Sequence, residues 1–307
     1  MCGIFGYVGK RSDAGKLVVE GLKNLEYRGY DSWGVACKTT KGTIIKKYTG
    51  KISAVNADEF SHGCQLAIAH TRWATHGGVT AANSHPHTNA DGSIVVVHNG
   101  IIENYQDLRK ELESKGHTFL SETDTEIIPH IIEEEMKTNS DFASAVRNAC
   151  TKFEGRYGIL AFHEESNILV ATRTGSPLIV GVSKEDGYFI ASDIPAFMEH
   201  TKVVQYLDDG EMVVTDGKSI LFTDLITGEE KPKREIEITW SVEKAQKGDY
   251  AHYMLKEIME QKDSIARAVN QDDEQIRVIA DAIKNAQGTF LVGCGTAHKA
   301  CMAAEDF

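Results

Sequence analysis

The sequence lacks the features of membrane, exported and nucleic-acid-binding proteins. No apolar run approaches the roughly 20 residues that a membrane-spanning helix needs, and the N-terminus has neither the charged nor the apolar region of a signal peptide. Basic residues are in the minority, 33 against 45 acidic ones, which gives a net charge of -12. This balance disfavours nucleic acid or an anionic membrane as the main partner. We therefore predict a cytoplasmic globular protein.

Paired cysteines are also missing. The six cysteines include no CxxC pair and no framework typical of small disulfide-bonded domains, so we expect reduced thiols. Four histidines lie close together, namely His70, His76, His85 and His87. Their spacing matches no zinc motif, and we predict neither a metal site nor a cofactor.

The order of the predicted elements indicates the fold class. Strands rich in β-branched residues come first and return from Arg156 onward, with three helices between the two series. This order predicts an α+β layered domain that ends near residue 220, with two sheets packed together and helices outside. A polar stretch follows, so residues 221–248 are predicted to be a connecting segment. Residues 249–307 then read as two helices, a strand, a Gly-containing turn and a helix.

A cysteine stands at position 2, in the stretch MCGIFGYVG. Chain ends tend to be exposed and frayed, so Cys2 is poorly placed for a core contact or a disulfide. If Met1 is removed, Cys2 carries a thiol with a reference pKa of about 8.5 beside an α-amine that titrates near 7.7 to 8.0 and can take the thiol proton. The alternative is a small apolar residue at the start of a buried strand, IFGYV.

Two polar stretches follow directly on apolar strands. In HTRWATHGG (70–78), Arg72 can bind a carboxylate, and Thr75 and His76 can donate hydrogen bonds. In HNGIIENY (98–105), the Asn99 amide and the Gly100 backbone N–H are the donor types that stabilise an oxyanion. A surface ion pair with a turn, and a simple Asn-Gly turn, are the structural alternatives.

A third stretch, SETDTE (121–126), has Thr123 and Glu126 at the spacing of a helix capping box. That motif leaves Asp124 unexplained, and its carboxylate could bind an α-ammonium group. A carboxylate-binding arginine, an ammonium-binding aspartate, an amide-based oxyanion hole and a terminal cysteine together describe a site for a free amino acid with an acyl group.

In these stretches the sequence resembles the class II glutamine amidotransferases, which are N-terminal-nucleophile hydrolases that begin with Cys-Gly-Ile. The resemblance covers residues 2–220 and implies a four-layer αββα sandwich. Within this family, five stretches look like the isomerising glutamine–fructose-6-phosphate amidotransferases: EYRGYDSWG (26–34), HTRWATHG (70–77), SHPH (84–87), HNGIIENY and SETDTE.

The resemblance implies a role for each matched residue. Cys2 attacks the glutamine carboxamide with its own α-amine as base, while Asn99 and Gly100 form the oxyanion hole. Glutamate and ammonia are the products. The remaining matched residues bind glutamine or hold the nucleophile end: Arg72, Asp124, Trp73, Thr75, His76 and Arg28.

The tail carries a second resemblance. YAHYMLKEIMEQ (250–261) and GCGTAHKA (293–300) look like the opening of that family's sugar isomerase (SIS) domain, with Gly295 and Thr296 in its first sugar-phosphate-binding turn. The family's next serine is Ala297 here, and its catalytic lysine and carboxylate have no counterpart. We therefore expect that this chain is part of a longer, homo-oligomeric enzyme and that only the longer enzyme uses fructose 6-phosphate.

Two alternatives remain open. One is a glutaminase of the phosphoribosylpyrophosphate amidotransferase type. The residues of EYRGYDS and HNGIIENY argue against it. The other is a non-catalytic glutamine-binding module, against which the intact Cys2 argues.

Overall fold

The computed structural model describes residues 2–239, 250, 253–270, 272–293 and 296–305. The chain divides into two compact units, Met1–Gln246 and Lys247–Phe307. Within the described ranges, no helix is both long enough and apolar enough to cross a lipid bilayer.

Two antiparallel sheets form the first unit. Their strands are β1 (Gly3–Gly9), β2 (Ser32–Thr39), β3 (Gly42–Thr49), β4 (Leu66–Arg72), β5 (His87–Thr88), β6 (Ile94–Ile102), β7 (Gly155–His163), β8 (Leu169–Thr174), β9 (Ile179–Ser183), β10 (Gly187–Ala191), β11 (Val203–Tyr206), β12 (Glu211–Thr215), β13 (Ile220–Asp224) and β14 (Ile236–Glu237). One sheet has the order β14-β11-β9-β10-β1-β4-β2-β3, and the other has the order β13-β12-β8-β7-β6-β5.

Helices cover the outer faces of the two sheets. They are α1 (Ala14–Lys23), α2 (Tyr105–Ser114), α3 (Ile127–Met136) and α4 (Phe142–Cys150). Short 3₁₀ turns occur at Glu26–Arg28, Ala57–Phe60, Asp124–Glu126 and Ile194–Ala196.

Three buried apolar clusters define four layers. On β1, Phe5 and Tyr7 pack on the side of α1, whereas Ile4 and Val8 pack between the sheets against side chains of β6 and β7. Successive side chains of a strand point to opposite faces, so a strand covered on both faces is apolar throughout. The third cluster lies between the six-stranded sheet and α2, α3 and α4. The predicted αββα sandwich is confirmed.

A close backbone contact fixes the end of β4, where part of the site begins. A Cβ atom on Gly29 would lie 2.7 Å from the carbonyl carbon of Arg72. Only a glycine leaves room for the turn Glu26–Arg28 to approach the strand this closely. The stretch EYRGYDSWG therefore packs directly against the stretch HTRWATHGG.

The first unit extends past the predicted boundary at residue 220. That residue begins β13, which pairs with β12, and β14 pairs with β11. Ile238 is buried in the cluster beneath α1. Although residues 221–248 are mostly polar in sequence, residues 221–224, 236 and 237 are held by strand pairing, and Ile238 is held by apolar packing. The first unit therefore reaches Gln246.

The predicted capping box is wrong. The Thr123 hydroxyl makes no capping hydrogen bond and instead lies 3.2 Å from Nε2 of His87. The Glu126 carboxylate accepts hydrogen bonds from the backbone N–H groups of Leu120, at 2.8 Å, and Ser121, at 2.6 Å. These buried partners compete successfully with the helix cap for the two side chains. Both side chains therefore stabilise the loop before the turn.

The second unit contains the helices α5 (Tyr253–Val269), α6 (Asp273–Asn285) and α7 (Thr296–Glu305), as the helical periodicity predicts. The predicted strand in TFLVGCG is wrong for residues 289–293, which are not in a strand. Phe290 is 93% exposed there. A strand needs a hydrogen-bonded neighbour, and none of the described residues pairs with this segment. Gly295 and the side chain of Thr296, both predicted to contact a sugar phosphate, lie outside the described part of the chain.

Candidate active site

One small pocket in the first unit gathers residues from five separate stretches of sequence. Seven of the predicted site residues line it: Cys2, Arg72, Trp73, Thr75, His76, Gly100 and Asp124. They belong to the chain before β1, the end of β4 and the loop after it, β6, and the turn before α3. The structure therefore brings together groups that the sequence separates by more than one hundred positions.

Four further residues line this pocket without having been predicted: His85, His98, Thr123 and Thr125. All of them lie within stretches that carry the resemblance, SHPH, HNGIIENY and SETDTE. His98 could have been found by strand periodicity, because it lies two residues before Gly100 on β6 and so shares its face of the sheet.

The Cys2 thiol lies against the backbone that follows β4. Its sulfur accepts a hydrogen bond from the N–H of Trp73 at 3.2 Å. Asp31 holds the same loop, since its carboxylate accepts the N–H of Ala74 at 2.9 Å. Burial raises the pKa of the Cys2 thiol, although the N–H of Trp73 and the positive charge of Arg72 act in the opposite direction. The neutral thiol is therefore favoured, and nucleophilic attack requires a base.

The Asn99 side chain is held at both ends. Its Nδ2 donates a hydrogen bond to the carbonyl oxygen of Cys2 at 2.9 Å. Its Oδ1 lies 3.0 Å from Nε2 of His70, which is also 3.0 Å from the carbonyl oxygen of His98. Both partners of Nε2 are acceptors, so His70 carries a proton on that nitrogen. An amide NH₂ has two hydrogens, and one of those on Asn99 remains for another acceptor.

Buried histidine rings lie next to Asn99. Burial lowers the pKa of His70 to about 3 and the pKa of His85, His87 and His98 below the ordinary value, so all four rings are neutral. The rings of His70 and His85 stack at 3.9 Å. His85 accepts the backbone N–H of His98, and His87 contacts the hydroxyl of Thr123. These contacts hold the backbone and side chains around the pocket.

Gly100 occupies a position that only glycine can adopt. Its φ is +114°, and a Cβ atom there would lie 1.9 Å from the carbonyl oxygen of Arg156 on the neighbouring strand β7. The absence of a side chain lets β6 pair closely with β7 while the backbone at Gly100 lines the pocket.

The Arg72 guanidinium shapes the loop after β4. Nη1 donates to the carbonyl oxygen of Gly78 at 3.0 Å, and Nη2 donates to those of His76 and, at 3.4 Å, Gly77. Burial lowers the pKa of Arg72, but the group remains charged at any relevant pH. A buried positive charge thus lies in the wall of the pocket.

Asp124 also lines the pocket and is 5% exposed. One of its oxygens accepts the backbone N–H of Ile102 at 2.9 Å and lies 3.9 Å from Nδ1 of His98. The end of β6 therefore positions Asp124.

Arg28 does not line the pocket. Its Nη2 donates to the carboxylate of Asp193 at 2.5 Å, and the hydroxyl of Tyr27 donates to the same oxygen at 2.6 Å. The preceding residue, Ser192, accepts the N–H of Ile4 through its hydroxyl at 3.0 Å. Arg28 is thus connected to the start of β1 through Asp193 and Ser192, and its contribution to holding the nucleophile end stays a prediction.

Residues 70–199 match the glutamine amidotransferase domain family. The glutamine–fructose-6-phosphate aminotransferase (isomerizing) of Pyrococcus horikoshii is 43% identical over 98% of this chain and 51% of its own length. The enzyme of the same name from Methanothermobacter thermautotrophicus is 46% identical over the same shares. The chain therefore spans about half the length of these curated relatives.

Among solved structures, the glutamine phosphoribosylpyrophosphate amidotransferase of B. subtilis matches 74% of this chain and 50% of its own, with a TM-score of 0.64 and 24% identity. This likeness shows the fold, a sandwich shared with glutamine amidotransferases. The matched domain and the curated relatives, together with the pocket around Cys2, lead to one conclusion: the chain contains a glutamine amidotransferase domain.

Proposed function

We propose that this chain hydrolyses L-glutamine to glutamate and ammonia through a thioester on Cys2. The observation that carries this proposal is the arrangement around Cys2. A buried cation, Arg72, and a buried carboxylate, Asp124, line the same pocket as Cys2, and beside it the clamped amide of Asn99 donates to the carbonyl oxygen of Cys2. These groups complement the carboxylate, the ammonium and the reacting carbonyl of glutamine, respectively.

The chemistry begins with removal of Met1, which frees the α-amine of Cys2. That amine takes the thiol proton while Sγ attacks the carboxamide carbon. The negative charge that develops on the carbonyl oxygen is stabilised by the remaining N–H of Asn99 and by the backbone N–H of Gly100. Collapse of this intermediate breaks the C–N bond, and ammonia leaves with the proton from the α-ammonium group.

A γ-glutamyl thioester then remains on Cys2. Water attacks its carbonyl carbon and gives a proton to the α-amine, and the C–S bond breaks. The thiolate recovers that proton, so glutamate leaves and the starting state is restored. One residue thereby provides the nucleophile and the base in both halves of the reaction.

Arg72 and Asp124 provide the recognition of the amino-acid end. The guanidinium has five N–H donors, and the carbonyl groups of residues 76–78 use only three. The remaining donors can bind the α-carboxylate, while the Asp124 carboxylate binds the α-ammonium group. Trp73, Thr75 and His76 complete the pocket wall.

We further propose that a longer protein transfers the ammonia to fructose 6-phosphate and so makes an amino sugar phosphate. The support is the 43% and 46% identity to enzymes with that name along almost the whole chain. Homo-oligomerisation and a cytoplasmic location stay predictions.

Intact-mass measurement after exposure to an electrophilic ketone analogue of glutamine tests the catalytic role. One adduct should form on Cys2 of protein that has lost Met1, it should persist in Cys301→Ala, and it should be absent from Cys2→Ala. A folded, processed protein that binds glutamine without forming the adduct would instead be a non-catalytic binding module. Full activity in protein that retains Met1 would exclude the α-amine as base.

The fold shared with a phosphoribosylpyrophosphate amidotransferase keeps one second candidate in view. The full-length protein distinguishes them by its acceptor. Glutamine hydrolysis should rise with fructose 6-phosphate and stay unchanged with phosphoribosylpyrophosphate. The opposite response would assign the chain to the second type.

A further inference from the structure

Outside the Cys2 pocket, three side chains that can bind metal converge where the turn after α2 meets α3. His117 lies in that turn, and His130 and Glu133 are one helical turn apart on α3. Nδ1 of His117 is 3.0 Å from Nδ1 of His130. Oε2 of Glu133 is 3.5 Å from the first nitrogen and 3.6 Å from the second. The three atoms form a compact triangle.

The size of this triangle matches tetrahedral zinc. Bonds of about 2.0 to 2.2 Å to nitrogen and oxygen place neighbouring ligand atoms of a tetrahedron roughly 3.4 Å apart. Calcium and magnesium prefer sites made of oxygen ligands, whereas two imidazoles with one carboxylate favour zinc and similar transition metals.

The hydrogen bonds around the triangle direct the lone pair of His117 into it. Nε2 of His117 lies 2.7 Å from a carboxylate oxygen of Glu134 and donates its proton there. The lone pair of the neutral ring is then on Nδ1, inside the triangle. Nδ1 of His130 lies within hydrogen-bond distance of that lone pair, so a cation that binds both nitrogens displaces the proton they share. A carboxylate that orients a histidine in this way is typical of metal sites.

One oxygen of the carboxylate in the triangle lacks a hydrogen-bond partner. Oε2 of Glu133 is buried and accepts no hydrogen bond from any described group. The lysine nearby, Lys137, pairs with Glu134. The side chains of His117 and His130 are 8% and 1% exposed, so water has little access from their side. A buried carboxylate oxygen is costly without a partner, and a cation in the triangle would be that partner.

We propose that His117, His130 and Glu133 bind one divalent transition-metal ion, with zinc the best match and solvent as the fourth ligand. The ion ties the turn after α2 to α3. It thereby closes residues 118–129, the segment that carries Asp124, into a loop fixed at both ends. Its role is structural, because none of its ligands lines the Cys2 pocket.

Zinc titration of the full chain against a chromophoric chelator tests the proposal. The Cys2→Ala background is used because a terminal thiol with an adjacent amine can itself bind zinc. We expect one ion per chain and a rise in melting temperature with zinc. Cobalt in place of zinc should give visible d–d absorption without a thiolate charge-transfer band. No binding, or a spectrum dominated by thiolate, overturns the assignment.

Matched variants locate the ion. His130→Gln and Glu133→Gln should each weaken zinc binding by at least about tenfold. Glu135→Gln should leave it unchanged, because Glu135 lies on the same helix but pairs with Lys152. Circular dichroism checks that each variant is folded. If His130→Gln unfolds, the more exposed Glu133→Gln decides, and binding by folded Glu133→Gln as tight as in the parent refutes the site.

Discussion

The two units of the chain differ in where their apolar side chains lie. On α3 in the first unit, Ile128 and Ile132 are fully buried. On α6 in the second unit, Ile276 and Ile279 are 46% and 62% exposed, and no residue of that helix is buried. Both helices contain regularly spaced apolar residues. The comparison shows that periodicity predicts a helix, while burial depends on what the rest of the chain places against it.

The two units also differ in their expected contribution to catalytic activity. Every pocket group described above belongs to Met1–Gln246. Changes at pocket or core positions of the first unit should therefore alter hydrolysis or stability, and matched changes in the second unit should alter neither. Pairs of variants test this contrast.

The largest effect is expected for the two cysteines. Cys2→Ala should reduce glutamate release to the uncatalysed background with an unchanged circular dichroism spectrum, because it removes the nucleophile and no packing volume of consequence. Cys301→Ala, on α7 of the second unit, should leave turnover unchanged. Residual hydrolysis in Cys2→Ala would mean that another group is the nucleophile.

Asn99→Ala should lower kcat by roughly 10² to 10³, the usual effect of losing one oxyanion donor, with KM largely unchanged. Asn148→Ala, an exposed position on α4, is the matched control and should behave like the parent. Steady-state kinetics distinguishes the roles. A raised KM with normal kcat would mean that Asn99 binds the ground state of glutamine instead.

Ile128→Ala should lower the free energy of unfolding of the first unit by about 2 to 5 kcal/mol, since it leaves a cavity in a packed core. Ile279→Ala should change stability by no more than about 0.5 kcal/mol, because the side chain is already largely exposed. Urea unfolding followed by tryptophan fluorescence and circular dichroism measures both. Equal losses would show that Ile279 is buried in solution.

The strands and the pocket could be predicted because local patterns determine them. Runs rich in β-branched residues predicted the strands, and their order relative to the helices predicted two packed sheets with helices outside. The four-layer sandwich was implied by the family resemblance. The neighbours of Asn99 could not be predicted, because His70 lies on β4 in one sheet and Asn99 on β6 in the other. Contacts between sheets depend on packing and leave no spacing rule in the sequence.

The wrong predictions have the same origin. Thr123 and Glu126 have capping-box spacing, but tertiary partners compete for their side chains. TFLVGCG has strand composition, yet composition does not provide a neighbouring strand. His117 and His130 match no local metal motif, and only the packing of α3 against the preceding turn brings their nitrogens together.

A smaller effect is expected in the pH dependence of Cys2 alkylation. Burial raises the pKa of this thiol, so the neutral form persists to higher pH than in a free cysteine, whose reference value is about 8.5. The rate of alkylation by iodoacetamide should therefore be low at pH 7 and should still be rising above pH 9, where the rate for a cysteine in a short peptide levels off. Mass spectrometry of the Cys2 peptide measures it. A plateau below pH 8 would indicate a preformed thiolate and remove the need for a base.

The last prediction is that fructose 6-phosphate has no effect on this chain: it should neither bind nor change the rate of glutamine hydrolysis. A phosphate can bind at a helix N-terminus, and α7 begins at Thr296. Such a site also needs neighbouring groups that hold the sugar and exclude water. In the described part of the preceding segment, residues 289–293, Phe290 is 93% exposed and Val292 is 87% exposed, and these residues form no strand. Titration calorimetry should therefore give only the heat of dilution, while glutamine hydrolysis proceeds at the same rate with or without the sugar phosphate. Saturable heat would show that the second unit folds into a binding site in solution, and the contrast between the two units would then be wrong.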